Sequence, residues 1–226
     1  MSGPCDAGGS LPTCGFGAYS SYYNSKSTKP FTDFAMRPSM MLAGKTLSDV
    51  KALIDRGVAS DFTNPTGQAH IMNTRDSTRS LRAKIYSSVN LGFGISPSIF
   101  VDILNADYIT GTTDTLFYFQ GLASVDHIAD NQYPPGAVAD HLTSFGGYLE
   151  GGKGQMSSLD WISGGLTGTF GTVSEPCAYS VKFPDPAIMM TYYTGGETLI
   201  EAYWKSIFQT FQGLFVGEPL ANPWKH

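Results

Sequence analysis

One short segment constrains this chain more than any other. Thr115–Gln120 (TLFYFQ) carries Leu, Phe, Tyr and Phe in unbroken succession and stops at Gly121. Successive strand residues point to opposite faces, so a run without polar alternation needs apolar cover on both sides. That is the pattern of a parallel strand inside a sheet with helices on its faces.

The neighbouring segments fit the same plan. Residues 68–73 (QAHIMN) read as a short strand, and 99–104 as a weak strand or a helix start. Residues 136–139 begin a strand that runs into 141–147 (HLTSFGG). Residues 165–173 (GLTGTFGTV) read as a Gly-rich strand and turn, 213–216 as a last strand, and 37–43 (RPSMMLA) as a buried strand. Thr46 caps a helix whose apolar positions Leu47, Val50, Leu53 and Ile54 recur at helical spacing and which ends near Gly57. Residues 74–90 suggest an exposed amphipathic helix on Leu81, Ile85 and Val89. Residues 157–163 form a short helix with Leu159 and Ile162 inward. Residues 197–211 form the strongest helix, with Leu199, Ile200, Tyr203, Trp204, Ile207, Phe208 and Phe211 on one broad face. Strands alternating with helices predict a three-layer α/β arrangement with a mostly parallel sheet.

Residues 1–36 read as an extended Gly/Ser/Tyr-rich arm and 37–226 as a single α/β domain. Phe16, Tyr19, Tyr22 and Tyr23 in an arm without net charge suit docking on a partner surface. The chain is 42% hydrophobic and only 15% charged, against about 25% charged in an average soluble domain. Its surface must therefore be largely Ser, Thr, Asn, Tyr and Gly, which suits a secreted protein or a subunit of an assembly. The net charge of −5 and the scattering of 14 basic residues exclude nucleic acid as the main partner. No apolar stretch reaches the ~20 residues of a membrane helix. The N-terminus carries no signal peptide, so the chain is cytosolic or begins after processing. Cys5 and Cys14 form a small disulfide loop in an oxidising compartment or remain two free thiols. No cysteine–histidine cluster has zinc spacing, and no cofactor is expected.

Asp140, His141 and Ser144 invite a triad reading. Adjacent strand residues diverge, however, and Asp140 and His141 serve equally to fix their own loop by hydrogen bonds. Cys177 is a second candidate nucleophile, or a structural thiol, with His127 or His141 to supply the imidazole. Asp140, His141 and Glu175, with Asp126, His127 and Asp130 near the same sheet end, are the oxygen and imidazole donors that Ca²⁺, Mn²⁺ or Zn²⁺ would use. Their spacing matches no recognised site. The glycines of 165–171 have the wrong spacing for a dinucleotide turn, and close strand packing explains them.

The motifs LFYFQG, PGAVADHLTSFGG, GGLTGTFGTVSEPC, GETLIEAYWKS and GLFVGEPLANP occur in that order between Leu116 and Pro223, about half of the chain. This stretch resembles a family of bacterial, mostly secreted proteins of uncharacterised activity. RPSMMLAG and LIDRGVASD fit the same family less firmly. That family in turn is distantly similar to the gingipain-type, caspase-like peptidases. The resemblance implies an α/β core in which one strand ends in a catalytic His and the next in a catalytic Cys. Such a site needs a thiolate at a strand's carboxyl end beside an imidazole, and a following glycine frees backbone N–H groups for an oxyanion. Here the first strand is Thr115–Gln120 with Gly121, which puts Leu122 at the His position. The second is 137–143, which puts Ser144 at the Cys position, followed by Phe145 and Gly146. The glycines remain and both reactive side chains differ. The resemblance also implies earlier strands and a signal peptide that nothing before Arg37 supplies. The chain then reads as a fragment, a processed product or a shortened relative, and a missing strand would leave a sheet edge for another chain to cover.

Two functions follow. One is a non-catalytic, periplasmic or extracellular α/β domain that acts as a structural or interaction component, bound to a protein partner or to itself. The other is a degenerate caspase-like hydrolase using Ser144 or Cys177.

Overall fold

A computed structural model describes residues 19–86, 95–174 and 180–225. Cys5, Cys14, Phe16, Val89, Glu175 and Cys177 lie outside the described residues, and with them the disulfide and the second nucleophile. The architecture is α/β. Six strands form one sheet in the order β2-β1-β3-β4-β5-β6: β1 (Gly67–Met72), β2 (Ile99–Leu104), β3 (Thr115–Gln120), β4 (Val138–His141), β5 (Gly168–Thr172) and β6 (Gly213–Gly217). The first five are mutually parallel, and β6 runs antiparallel to β5.

β3 sits inside the sheet, where its sequence demands. Phe117 faces Tyr193 and Trp224 at ring distances of 6.3 and 5.9 Å, while Tyr118 on the opposite face meets Trp161 edge-on at 5.3 Å. Tyr193 belongs to α5 (Pro186–Thr194), which packs against α6 (Leu199–Ser206); Trp161 belongs to α4 (Leu159–Ser163). Helices therefore cover both faces. A smaller apolar cluster of Leu53, Leu159, Ile162 and Val216 seats α2 (Leu47–Ser60) on α4 and β6. Among the described residues no helix is long and apolar enough to cross a membrane.

Four segments differ from the expectations. Residues 37–43 are not a buried strand: only Met41 bridges to β6, and Met41 and Leu42 are nearly half exposed. α2 starts at the Thr46 capping box as expected but runs past Gly57 to Ser60. Gly57 lies inside because Glu218 presses on it; an added Cβ would fall 2.4 Å from the Glu218 Cγ. The 74–90 helix narrows to α3 (Leu81–Tyr86) among the described residues, and it buries Arg82, Ala83 and Tyr86 while Ile85 is exposed. The 197–211 helix stops at Ser206, whose carbonyl accepts from the Asp185 N–H at 2.8 Å, and Ile207 turns extended.

From Tyr19 onward the described part of the arm packs on its own chain. Tyr19 stacks on Phe208 at 4.2 Å, and Tyr22 is fully buried with the Lys205 ammonium 5.1 Å from its ring. The backbone follows suit, with Ser20 N–H donating to Phe208 O at 2.8 Å and Asn24 N–H to Lys205 O at 2.9 Å. These aromatics close the chain's own core beside α6. A short helix, α1 (Pro30–Phe34), completes this segment.

Candidate functional site

β3 and β4 run parallel and adjacent, with Gln120 beside His141, so Gly121 and Leu142 leave the sheet side by side. Asp140 and His141 diverge across the sheet, and each enters a different buried network.

His141 is fully buried. Its Nδ1 accepts from the Trp161 indole N–H at 3.0 Å, and its Nε2 lies 3.1 Å from the Met156 carbonyl. An indole only donates and a carbonyl only accepts, so the proton sits on Nε2 and the lone pair on Nδ1 is taken. Burial, with help from the positive charges of Arg82 and Arg79, pushes this imidazole down to about 4 against the partial opposition of the Met156 bond. It is a neutral structural histidine. A general base needs a free ring nitrogen within reach of the proton it takes, and His141 offers none to Ser144.

Asp140 is fully buried on the other face, opposite Arg82, whose side chain is 5% exposed. The Arg82 Nη2 stands 2.5 Å from Oδ1, a buried ion pair in which charge and hydrogen bonding act together. The same nitrogen donates to the Gln120 carbonyl at 2.7 Å. The guanidinium also faces the Phe119 ring at 5.4 Å. Desolvation raises the Asp140 carboxyl above the ordinary carboxylate range, and Arg82 pulls against that rise. Asp140 thus works as the counter-ion that lets α3 dock an arginine onto an apolar sheet face.

Ser144 lines a recess of about 50 Å³ with Thr78, Arg79, Leu142, Thr143, Lys182 and Phe183. No imidazole borders it among the described residues. The backbone N–H after Ser144, that of Phe145, donates to Gln155 Oε1 at 2.7 Å. Leu122, at the position that the resemblance assigns to a proton-moving histidine, packs against the main core. The cationic groups beside Ser144 are engaged as well. Arg79 holds Asp76 at 2.6 Å and Thr143 Oγ1 at 3.2 Å, and Lys182 donates to the Ser174 carbonyl at 3.2 Å.

The two glycines that suggested an oxyanion geometry, Gly121 and Gly146, have packed neighbours; a Cβ on Gly146 would lie 3.2 Å from the His141 Cε1. A Cβ on Gly121 would lie 2.4 Å from the Arg79 carbonyl oxygen, because the turn before α3 rests directly on it. Gly147 and Gly171 meet backbone to backbone, each blocking a Cβ on the other at 2.4–2.5 Å. Gly168 lies under Leu199 and Tyr203. Gly121→Ala is therefore expected to cost about 1–3 kcal/mol, in the range of overpacking changes, read as a lower midpoint in urea unfolding.

His127 stands apart, in a turn after β3, with Nδ1 2.6 Å from its own neighbour Asp130 and its ring 4.3 Å from Tyr108. Glu175 lies outside the described residues, and the other expected metal ligands are not brought into one group of three. Asp140 and His141 lie on opposite faces in other partnerships, and no group of three His, Cys, Asp or Glu suited to a metal occurs among the described residues. Reading the sequence missed Arg82 and Trp161, which decide what Asp140 and His141 do. Comparison with protein-family models, with curated proteins and with solved structures finds no match to this chain.

Proposed function

We propose that this chain is a non-catalytic α/β domain of caspase-like ancestry, acting outside the cytoplasm as a structural or interaction component. One observation carries the non-catalytic half: the imidazole on β4 has both nitrogens committed to Trp161 and Met156, and among the described residues no other imidazole borders the Ser144 recess. The interaction half draws on the sheet's edges. β6 is partly covered by Met41, whereas no strand lies beyond β2 among the described residues. The low charged fraction of 15% suits a compartment or an assembly in which much polar but uncharged surface is tolerated. Ancestry draws on the two adjacent parallel strands β3 and β4, whose carboxyl ends lie side by side at one end of the sheet, the arrangement that a His strand followed by a Cys strand requires.

The test is chemical labelling. Fluorophosphonate and chloromethyl ketone probes are expected to label Ser144 no faster than they label a Ser144→Ala protein. Stoichiometric labelling of Ser144, abolished by that substitution and dependent on a neighbouring base in its pH profile, would overturn the non-catalytic reading.

A further inference from the structure

We propose that the cavity between Tyr23, Tyr86 and Phe208 binds a small organic cation, an ammonium head of few carbons that also carries an oxygen acceptor. The cavity measures about 110 Å³ and lies between α3, the turn into α5 and the arm. A space of about 150 Å³ takes a benzene molecule, so this one suits a head of about five heavy atoms. Arg82 and Tyr86 on its wall are buried, whereas Tyr23, Asp185 and Phe208 are half-buried and Ile85 is exposed. The outer end is therefore aromatic and acidic.

The rings and the carboxylate belong together. Tyr23 meets Phe208 edge-on at 5.1 Å. The Tyr86 hydroxyl bonds the Asp185 side chain, and burial followed by the Asp185 charge pushes the Tyr23 hydroxyl up to about 12. Ring faces attract an ammonium ion, and quaternary ammonium ligands are recognised in this way. The chain itself contains such a grouping, filled by its own cation. The Lys205 ammonium lies 4.5 Å from the Tyr192 ring and 5.1 Å from the Tyr22 ring, with Glu197 as counter-ion. Tyr22 and Tyr23 are consecutive, so the arm supplies one ring to each group. In the second group Arg82 is the one cationic residue among the described residues of the wall, and its charge is matched by Asp140. The charge left over is that of Asp185, which favours a cation and disfavours an anion.

Arg82 sets the other end of the ligand. Its Nη2 serves Asp140 and the Gln120 carbonyl, and its Nη1 reaches the Pro184 carbonyl at 3.4 Å. Its Nε is buried without a hydrogen-bond partner among the described residues. Such a donor takes only an acceptor, and leaving it unpaired is costly. A hydroxyl or carbonyl oxygen on the ligand fills that role. Binding asks for no nucleophile, so the site is compatible with a non-catalytic domain.

Choline has both features and is the probe. Titration calorimetry on the full chain is expected to show saturable one-to-one binding, and the ring faces should move the N-methyl proton resonances upfield. Tetramethylammonium lacks the acceptor and should bind about tenfold more weakly. The uncharged analogue of choline, with carbon in place of nitrogen, and acetate should not saturate. Asp185→Asn keeps the oxygen that caps α5 through the Ile188 N–H at 3.0 Å and removes the charge, so it should weaken choline by about tenfold or more. Tyr23→Leu removes one ring and should weaken it about fivefold. Both variants should keep the wild-type circular dichroism spectrum. Phosphatidylcholine vesicles present the same head on a lipid: flotation with vesicles that choline competes away makes the headgroup the source, and choline binding without flotation makes it a free solute. Equal binding of the uncharged analogue overturns the cation site, as does choline binding that neither variant weakens. Failure of both choline and tetramethylammonium to saturate at millimolar concentrations overturns it as well. If tetramethylammonium binds as tightly as choline, the role given to Arg82 is wrong and the cation site stands on Asp185 and the rings.

Discussion

Arg82→Ala is expected to destabilise the fold by about 3–5 kcal/mol, the range for removing one partner of a buried ion pair. The reason is what stays behind. Asp140 is fully buried, and the Arg82 Nη2 stands 2.5 Å from its Oδ1. Arg82 is the charge that offsets its desolvation, and a buried carboxylate without that charge is costly. The pH dependence distinguishes this from simple loss of packing. Burial already raises the Asp140 carboxyl, and Arg82 opposes the rise. A carboxyl held above its unfolded value binds its proton more readily in the folded state, so its contribution to stability improves as pH falls through that window. Without Arg82 the carboxyl rises further. The deficit of Arg82→Ala should therefore be largest at neutral and alkaline pH and shrink in acid. Arg82→Met combined with Asp140→Asn should recover much of the loss, though not the hydrogen bond from Arg82 to the Gln120 carbonyl. Urea unfolding at a series of pH values reads all of this. A deficit that is flat with pH and unrepaired in the double variant would show that the pair is not coupled.

What could be read in the sequence, and what could not, follows from the range of the interactions. Local signals were legible. TLFYFQ announced an interior strand because six residues without polar alternation admit no exposed face. Thr46 announced a helix start, because an N-cap signal is local, and the structure adds Asp49 to close a capping box there. The divergence of Asp140 and His141 followed from strand geometry alone. The helix at Pro186–Thr194 was missed. It is apolar all round, so no period stands out, although Asp185-Pro186 at its start and Gly195-Gly196 at its end were capping signals in plain view. α3 was read with its inward face only partly right, since Leu81 packs on the main core but Ile85 is exposed. Leu81 and Ile85 looked like the apolar stripe, but Arg82 is drawn under in place of Ile85 by Asp140, a residue 58 positions away. The site suffers most from this. Whether a buried imidazole is a base or a strut depends on what its nitrogens meet. Trp161 and Met156 are linked to His141 by folding, not by spacing. The glycines misled in the same way, since close packing and oxyanion geometry leave the same letters in a sequence.

The strut role of His141 has its own large signature. Its imidazole is lowered from an ordinary 6.5 to about 4, first by burial. A basic group depressed in the fold binds its proton less readily there than in the unfolded chain. Its contribution to stability is fully present above about 6.5 and is lost as pH falls from there through about 4. A displacement of that size corresponds to about 3 kcal/mol. The wild-type fold is thus expected to lose stability steeply between neutral pH and pH 4. His141→Gln should be less stable at pH 7 but should lose much of that acid slope, because a glutamine can accept from Trp161 and donate to Met156 without taking up a proton. This slope runs opposite to that of Asp140, so two adjacent residues pull the acid stability of one strand in contrary directions. In Asp140→Asn the histidine term would stand alone and the loss on acidification should steepen. The same lock that removes His141 from proton transfer makes the fold acid-sensitive. An imidazole titrating near 6.5 in the folded protein by NMR, with no loss of stability on protonation, would release both nitrogens from their structural roles and reopen the case for a base on β4.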